Sequence, residues 1–249
     1  MRFFFEVAYK GTRYSGFQVQ ENANTIQQEV EKVLKVFYKQ AIELTGSSRT
    51  DAGVHALQNF FQADVEEAIF KPAHVYNLNA MLPPDIVIQK IFEVSTELHC
   101  RFHATHRTYH YHIYSRKNPF LNDRAWYYPF PVDLALLNEA ASLLMQYEDF
   151  TSFSKRNTQT FTNLCKLSES YWTPTEDGFR YTVKGNRFLR GMVRGLVGTM
   201  LQVGRGKITL QQFQSIIEAL DCTKADFTTP SHGLFLVEVG FKEGVFARE

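Results

Sequence analysis

The sequence lacks any long apolar run, since no stretch of about 18 consecutive apolar residues occurs within its 249 residues. Residues 1–5 are apolar, but the charged Glu6 follows too soon for a secretory signal peptide. Cysteine is scarce, and three widely spaced cysteines are typical of free thiols in a reducing cytoplasm. We therefore expect a cytoplasmic protein without a membrane segment. The cysteines are Cys100, Cys165 and Cys222.

An excess of charge of one sign is also missing, because 27 Lys and Arg balance 26 Asp and Glu. Such a balance does not favour a nucleic-acid-binding protein, which usually has a basic surface. The distribution is uneven, however, since no acidic residue occurs between Asp177 and Glu218 or between Glu97 and Asp123. These two basic segments either form one positive groove or lie as ordinary charged surface. They contain Arg101, Arg107, Arg116, Lys117, Arg180, Lys184, Arg187, Arg190, Arg194, Arg205 and Lys207.

The stretch from residue 45 to 56 organises the chain. It lies between apolar runs at 41–44 and 57–61, and its Gly, Ser and Thr residues are typical of a loop at the end of a sheet. A single carboxylate, Asp51, lies in its middle, two residues after Arg49. A rigid loop with one Asp beside an Arg suits a nucleophile or a base. A turn with a surface salt bridge would produce the same pattern.

Hydrophobic periodicity predicts an α+β fold. In the first half it predicts strands at 41–45 and 57–65 and a helix capped by Thr25, whose partner in a capping box would be Gln28. In the second half it predicts a strand at 105–115, a helix capped by Asp133, and an apolar helix from Leu189. The order of elements repeats, which predicts two similar α/β halves with antiparallel or mixed sheets joined around a central cleft.

Two further residues could belong to a site in that cleft. Arg194 lies among Gly, Val, Leu and Met, so its guanidinium needs a partner, for which Asp51 is one choice. Bonding of Arg194 to helix-end carbonyls, or extension to water, is the alternative. Arg187 and Arg190 are predicted to lie on the same helix flank. Tyr109 shares one strand face with Arg107, Tyr111 and Ile113 by the two-residue period, which ordinary sheet packing also explains.

Several motifs in chain order resemble the TruA-type tRNA pseudouridine synthases, and together they cover essentially the whole chain. The motif from Arg49 to Ala56 resembles the active-site loop of that family. Ser48 stands where the family usually has Gly, and Phe17 where it often has Trp. The motifs are Arg49-Thr50-Asp51-Ala52-Gly53-Val54-His55-Ala56, Tyr9-Lys10-Gly11-Thr12-Arg13-Tyr14-Ser15-Gly16-Phe17-Gln18, Arg107-Thr108-Tyr109-His110-Tyr111, Asp149-Phe150-Thr151-Ser152-Phe153, Phe188-Leu189-Arg190-Gly191-Met192-Val193-Arg194 and His232-Gly233-Leu234.

The resemblance implies the pseudouridine synthase fold, with residues 1–100 carrying the catalytic loop and residues 101–249 the remaining site residues. Asp51 would be the catalytic aspartate, Tyr109 would pack on the target base, and Arg194 would pair with Asp51. Arg49 would fill the space left by the extruded base. His55 is expected to be a substrate-binding residue.

The implied substrate is uridine 38, 39 or 40 in the anticodon arm of tRNA, modified by a cytoplasmic homodimer without metal or small-molecule cofactor. Recognition would rest on phosphate contacts and RNA shape. Two other interpretations are compatible with parts of the sequence. One is a tRNA-binding protein without catalysis, whose function would survive loss of Asp51. The other is a metal site at His99, Cys100, His103 and His106, whose spacing fits no zinc pattern.

Overall fold

A computed structural model describes residues 1–156 and 161–246. The chain forms two compact units. The first comprises residues 1–105 and the C-terminal segment from Leu236, and the second comprises His106–Phe235. The first unit is therefore built from both ends of the chain, whereas the second is continuous.

Nine strands, five α-helices and four short 3-10 helices make up the regular structure of the described residues. The strands are β1 (Arg2–Tyr9), β2 (Thr45–Gly46), β3 (His55–Asp64), β4 (Ile86–Val94), β5 (His106–Tyr114), β6 (Trp126–Tyr127), β7 (Leu167–Pro174), β8 (Gly178–Gly185) and β9 (Leu234–Gly240). The helices are α1 (Ile26–Tyr38), α2 (His74–Met81), α3 (Leu134–Leu143), α4 (Met192–Gly204) and α5 (Leu210–Glu218). These elements confirm the predicted α+β class.

The sheet of the first unit has phenylalanine on both of its faces. Strand β1 runs antiparallel to β3 and β4, and β9 lies beside β3. Because side chains alternate along a strand, Phe5 and Phe4 point to opposite faces. Phe5 and Phe3 both contact the ring of Phe70 edge-on, with ring centroids 4.9 and 5.1 Å apart, respectively. Phe4 packs against two residues of the C-terminal segment, Phe241 and Phe246.

In the second unit, β8 lies between β5 and β7 and is antiparallel to both, while β6 is parallel to β5. Tyr111 of β5 is directly opposite Tyr181 of β8, and both side chains are fully buried. Helix α4 is also mostly buried, and its apolar composition explains this. The sheet and this helix form the hydrophobic core on which the second unit depends.

The predicted helix starts are confirmed because they depend on local hydrogen bonds. The Thr25 hydroxyl accepts a hydrogen bond from the Gln28 N–H, and the Asp133 carboxylate accepts from the N–H groups of Ala135 and Leu136.

Two predicted boundaries are wrong. The strand expected at 41–45 is reduced to Thr45–Gly46, because side chains of α1 take up the backbone of Leu44: its N–H donates to Glu31 and its C=O accepts from Gln27. Helix α4 starts at Met192 rather than Leu189, since Gly191 has a left-handed φ of 75°. Arg187 and Arg190 therefore precede the helix instead of lining its flank.

Each unit protects an edge strand with one asparagine side chain. In the first unit, Asn79 of α2 donates to the C=O of Ile88 in β4 and accepts from its N–H, both at 2.8 Å. In the second, Asn138 of α3 makes the same pair of bonds with Trp172 in β7, at 3.1 and 2.8 Å. A helix side chain thus occupies backbone groups that another strand would otherwise use.

Replacing either asparagine by alanine is expected to lower the free energy of unfolding by about 1–3 kcal/mol, because backbone groups of one edge residue lose their partners. Urea denaturation of Asn79→Ala and Asn138→Ala measures this loss. Amide hydrogen exchange should become faster at Ile88 in the first variant and at Trp172 in the second. Losses below about 0.5 kcal/mol in both variants, the range of ordinary surface substitutions, would contradict this role.

Candidate active site

Asp51 opens a tight turn in the loop between β2 and β3. Its C=O accepts a hydrogen bond from the N–H of Val54 at 3.1 Å. Gly53, the third residue of this turn, has a φ of 78°, as a type II turn requires. Asp51 is half-buried, and Arg49 is exposed. The sequence therefore correctly predicted a loop with Asp51 at its centre.

The residue before Asp51 is held on two sides. The C=O of Thr50 accepts from the N–H of Phe17 at 3.1 Å, and its hydroxyl is hydrogen-bonded to the Tyr9 hydroxyl at 2.7 Å. The buried amide of Asn59 donates to the C=O of Ser48 at 2.8 Å and to the Tyr9 hydroxyl at 3.2 Å. These bonds restrict the backbone on which the Asp51 carboxylate is carried, which favours a fixed catalytic geometry.

Asn59 was not among the predicted site residues, although the sequence contains one signal for it. It is an amide directly before Phe60 and Phe61 in the strand, and a polar side chain buried beside apolar ones needs partners. Ser48, which departs from the usual glycine, is buried and contributes its backbone carbonyl to Asn59. The other departure, Phe17, stacks on Phe61 with ring centroids 4.4 Å apart. Both residues fit the loop without disrupting it.

Segment 10–17 packs so closely against the loop that two of its positions need glycine. A Cβ atom on Gly11 would lie 2.0 Å from the carbonyl oxygen of Val54, well inside contact distance. Gly16 has a φ of 107°, and a Cβ there would lie 3.0 Å from the carbonyl oxygen of Thr50. The two segments are therefore interlocked on both sides of Asp51.

His55 anchors the same contact from the loop side. Its side chain is only 1% exposed, and Nδ1 accepts a hydrogen bond from the N–H of Gly11 at 3.1 Å. An accepting Nδ1 means that this nitrogen carries no proton. The buried ring thus supports the loop from within, while its predicted contact with substrate stays a prediction.

Tyr109 and Arg194 belong to the second unit. Tyr109 lies on β5 opposite Val183, is 8% exposed, and contacts the ring of Phe188 edge-on at 5.0 Å. Its aromatic neighbour fixes the plane of the ring, which suits stacking on a planar ligand.

Arg194 lies in the first turn of α4, where it is half-buried. Its Nε donates to the C=O of Thr229 at 2.6 Å. The hydroxyl of Tyr111 donates to the next carbonyl, that of Pro230, at 2.7 Å. Burial raises the pKa of Tyr111 well above its usual value, and the positive charge of Arg194 opposes this only in part. Tyr111 therefore remains a neutral donor, and together with Arg194 it fixes segment 229–230.

The histidine-rich segment has protein partners of its own. The Nδ1 of His99 accepts from the N–H of Arg101, and the Nδ1 of His103 accepts from the N–H of His99. The thiol of Cys100 donates to the C=O of Thr45 at 3.3 Å. Within residues 1–156 and 161–246, no three or more His, Cys, Asp or Glu side chains are grouped so that they could hold a metal ion.

Comparison with known proteins agrees with this architecture. A family model described as tRNA pseudouridine synthase matches residues 6–103 and 140–242. The chain is 41% identical to tRNA pseudouridine synthase A of Parabacteroides distasonis, covering 100% of this chain and 99% of that protein. Identity to the protein of the same name from Staphylococcus saprophyticus is 37%, covering 96% of this chain and 90% of that protein.

These matches span the loop around Asp51 and extend over most of both units. The chain belongs to the tRNA pseudouridine synthase family, and with it to the isomerase class of enzymes. The resemblance inferred from the motifs is thereby confirmed. In the part of the chain that the structure describes, no helix combines the length and apolar character needed to cross a membrane.

Proposed function

We propose that this protein converts uridine to pseudouridine at positions 38, 39 and 40 of the tRNA anticodon arm, with Asp51 as the catalytic residue. The observation that carries the proposal is the half-buried Asp51 carboxylate on a loop whose backbone is fixed before and after it. The family and the names of the relatives supply the reaction and the class of RNA.

The reaction needs few groups. The bond from ribose C1′ to N1 of uracil breaks, the base turns, and a bond from C1′ to C5 forms. The proton on C5 is lost and N1 gains one, so the product is an isomer of the substrate and no redox change occurs. An ionised Asp51 acts as nucleophile toward the ribose or the base. Such a reaction has no step for which a metal or an organic cofactor is required.

The proposed roles of the remaining residues follow from the family resemblance. Tyr109, held by Phe188, packs on the target base, and Arg194 pairs with the Asp51 carboxylate. Arg49 is exposed on the same loop as Asp51 and fills the space from which the target base is extruded. His55 supports substrate binding through the loop. In this division of function, residues 1–100 carry the catalytic loop and residues 101–249 carry Tyr109 and Arg194.

The proposed setting is a cytoplasmic homodimer that contacts tRNA through its basic segments. Anticodon arms are recognised through backbone phosphates and RNA shape, for which Arg and Lys side chains are suited. The three cysteines form no disulfide within the described residues, as a reducing compartment favours.

The purified protein should be incubated, without added metal or cofactor, with unmodified tRNA that carries uridines in the anticodon arm. Carbodiimide treatment followed by reverse transcription maps pseudouridine as stops, and we expect stops at positions 38 to 40. A matched tRNA with cytidines at these positions provides the control. Tight tRNA binding without any stops would instead favour an RNA-binding protein that lacks this activity.

A further inference from the structure

We propose that Asp85 is a positioning residue for the Asp51 loop, acting through Arg13 and Tyr14. The inference rests on the proposed function for its effect on the reaction, but not for its effect on the loop. Asp85 comes directly before β4 and lies outside all the motifs that identified the family.

The carboxylate of Asp85 has a partner on each oxygen. Oδ1 accepts from the Tyr14 hydroxyl at 2.5 Å, and Oδ2 accepts from Nε of Arg13 at 2.7 Å. The backbone C=O of Asp85 also accepts from the N–H of Lys10 at 2.9 Å. One residue at the start of β4 therefore holds segment 10–14 at three points.

Segment 10–14 in turn holds the loop on the C-terminal side of Asp51. The C=O of Tyr14 accepts from the N–H of Gly53 at 3.3 Å, and the N–H of Gly11 donates to His55. Gly53 is the turn residue that sets the direction of the chain after Asp51. The path from Asp85 to this turn thus passes through one side chain and two hydrogen bonds.

The solvent exposure of its partners indicates that Asp85 affects the geometry of the Asp51 loop more than the stability of the fold. Its side chain is 12% exposed, whereas that of Arg13 is 64% exposed, and ion pairs with a solvated partner contribute little to folding. The buried half of the network is the bond from Tyr14, a residue that is 5% exposed. The Asp85 carboxylate is negatively charged and mostly buried, so it does not suit a direct contact with RNA phosphates.

The hydrogen bonds from Arg13 and Tyr14 depend on the charged form of Asp85. Burial alone would raise its pKa, but the hydrogen bonds from Arg13 and Tyr14 lower it below the usual value overall. A lowered pKa means that the charged form is favoured in the folded protein. The network is therefore complete at neutral pH and is lost as the pH falls through this lowered pKa.

Two variants interrupt the network at different points. In Asp85→Asn a neutral amide replaces the carboxylate, so the charge-assisted bonds from Tyr14 and Arg13 are both weakened and one of these donors faces an NH2 group. Tyr14→Phe removes the hydroxyl through which Asp85 reaches the loop. We expect single-turnover pseudouridine formation to slow by about tenfold or more in each variant, with the Kd for tRNA changed less than about twofold, because misplacement of a catalytic group affects the reaction more than binding. The double variant should add little, since both changes interrupt one path.

Asp64→Asn is the matched control. Asp64 makes a similar pair of bonds with Arg2, at 2.7 and 2.9 Å, but lies at the opposite end of β3 from His55. This variant should retain the wild-type rate at a temperature at which all the variants are folded. Equal rates in wild type, Asp85→Asn and Tyr14→Phe would overturn the proposal, as would an equal loss in Asp64→Asn.

Amide hydrogen exchange gives a readout that does not depend on the reaction. Exchange at Gly53 and Val54 should become faster in Asp85→Asn and Tyr14→Phe and stay unchanged in Asp64→Asn. If the wild-type protein forms no pseudouridine, the proposed function fails, yet faster exchange at these amides would still support the link from Asp85 to the loop. Unchanged exchange in both variants would refute that link whatever the activity.

Discussion

Replacing Asp51 by asparagine is expected to lower the rate of pseudouridine formation by at least about a thousandfold, since removal of a nucleophile leaves only binding and orientation to promote the reaction. The change keeps the size of the side chain, and the turn from Asp51 to Val54 depends on backbone atoms, so the loop should keep its shape. Single-turnover rates on unmodified tRNA, together with equilibrium binding of the same tRNA, measure the two effects separately.

Loss of one negative charge could by itself strengthen tRNA binding, because RNA is an anion. Asp177→Asn controls for this effect, since Asp177 lies next to the start of β8 in the other unit and the substitution changes the net charge equally. The control should react at the wild-type rate. Substantial activity in Asp51→Asn would show that another group is the nucleophile.

Gly11→Ala is expected to have the second largest effect on the rate of the reaction, and it should also destabilise the fold. Its Cβ would lie 2.0 Å from the carbonyl oxygen of Val54, so either segment 10–17 or the loop has to move. We expect the free energy of unfolding to fall by about 1–3 kcal/mol, as in other overpacked sites. The rate of the reaction should fall about a hundredfold, because Asp51 is only three residues from Val54. Thermal unfolding and single-turnover kinetics provide the two measurements.

Gly178→Ala separates displacement of the loop from general loss of stability. A Cβ on Gly178 would lie 2.4 Å from the carbonyl oxygen of Ile113, a clash of the same kind within the second unit. This variant should be destabilised to a similar extent but should react normally below its unfolding temperature. Equal losses of activity in the two variants would mean that the contact between Gly11 and Val54 has no specific role in the reaction.

The features that could be predicted from sequence are those that short segments determine. The cap residues Thr25 and Asp133 bond to N–H groups within three positions of themselves, and such bonds do not depend on the rest of the fold. The strand expected at 41–45 depended on partners far away in the sequence. Gln27 and Glu31 bind the backbone of Leu44 from α1, and no local pattern reveals which side chains will do so.

In the candidate site, too, local features could be predicted from the sequence, whereas contacts between distant residues could not. Asp51 could be located because glycine and small polar residues around it are typical of a loop, and because the surrounding motif resembles a known family. The contacts that hold the loop were not predicted, since Asn59 bonds to Ser48 from β3, His55 bonds to Gly11 and Asp85 acts through Tyr14. Arg194 was predicted to need a partner, but its bond to the carbonyl of Thr229 joins residues 35 positions apart.

The discontinuous first unit has a consequence for protein synthesis. Residues 106–235 emerge from the ribosome as one block, so the second unit can fold as soon as that block is free. The first unit, although its larger part is translated earlier, has to wait for β9 and for Phe241 and Phe246, which cover Phe4. Until then the aromatic surface around Phe4 is not covered, and the loop around Asp51 belongs to the unit that is completed last.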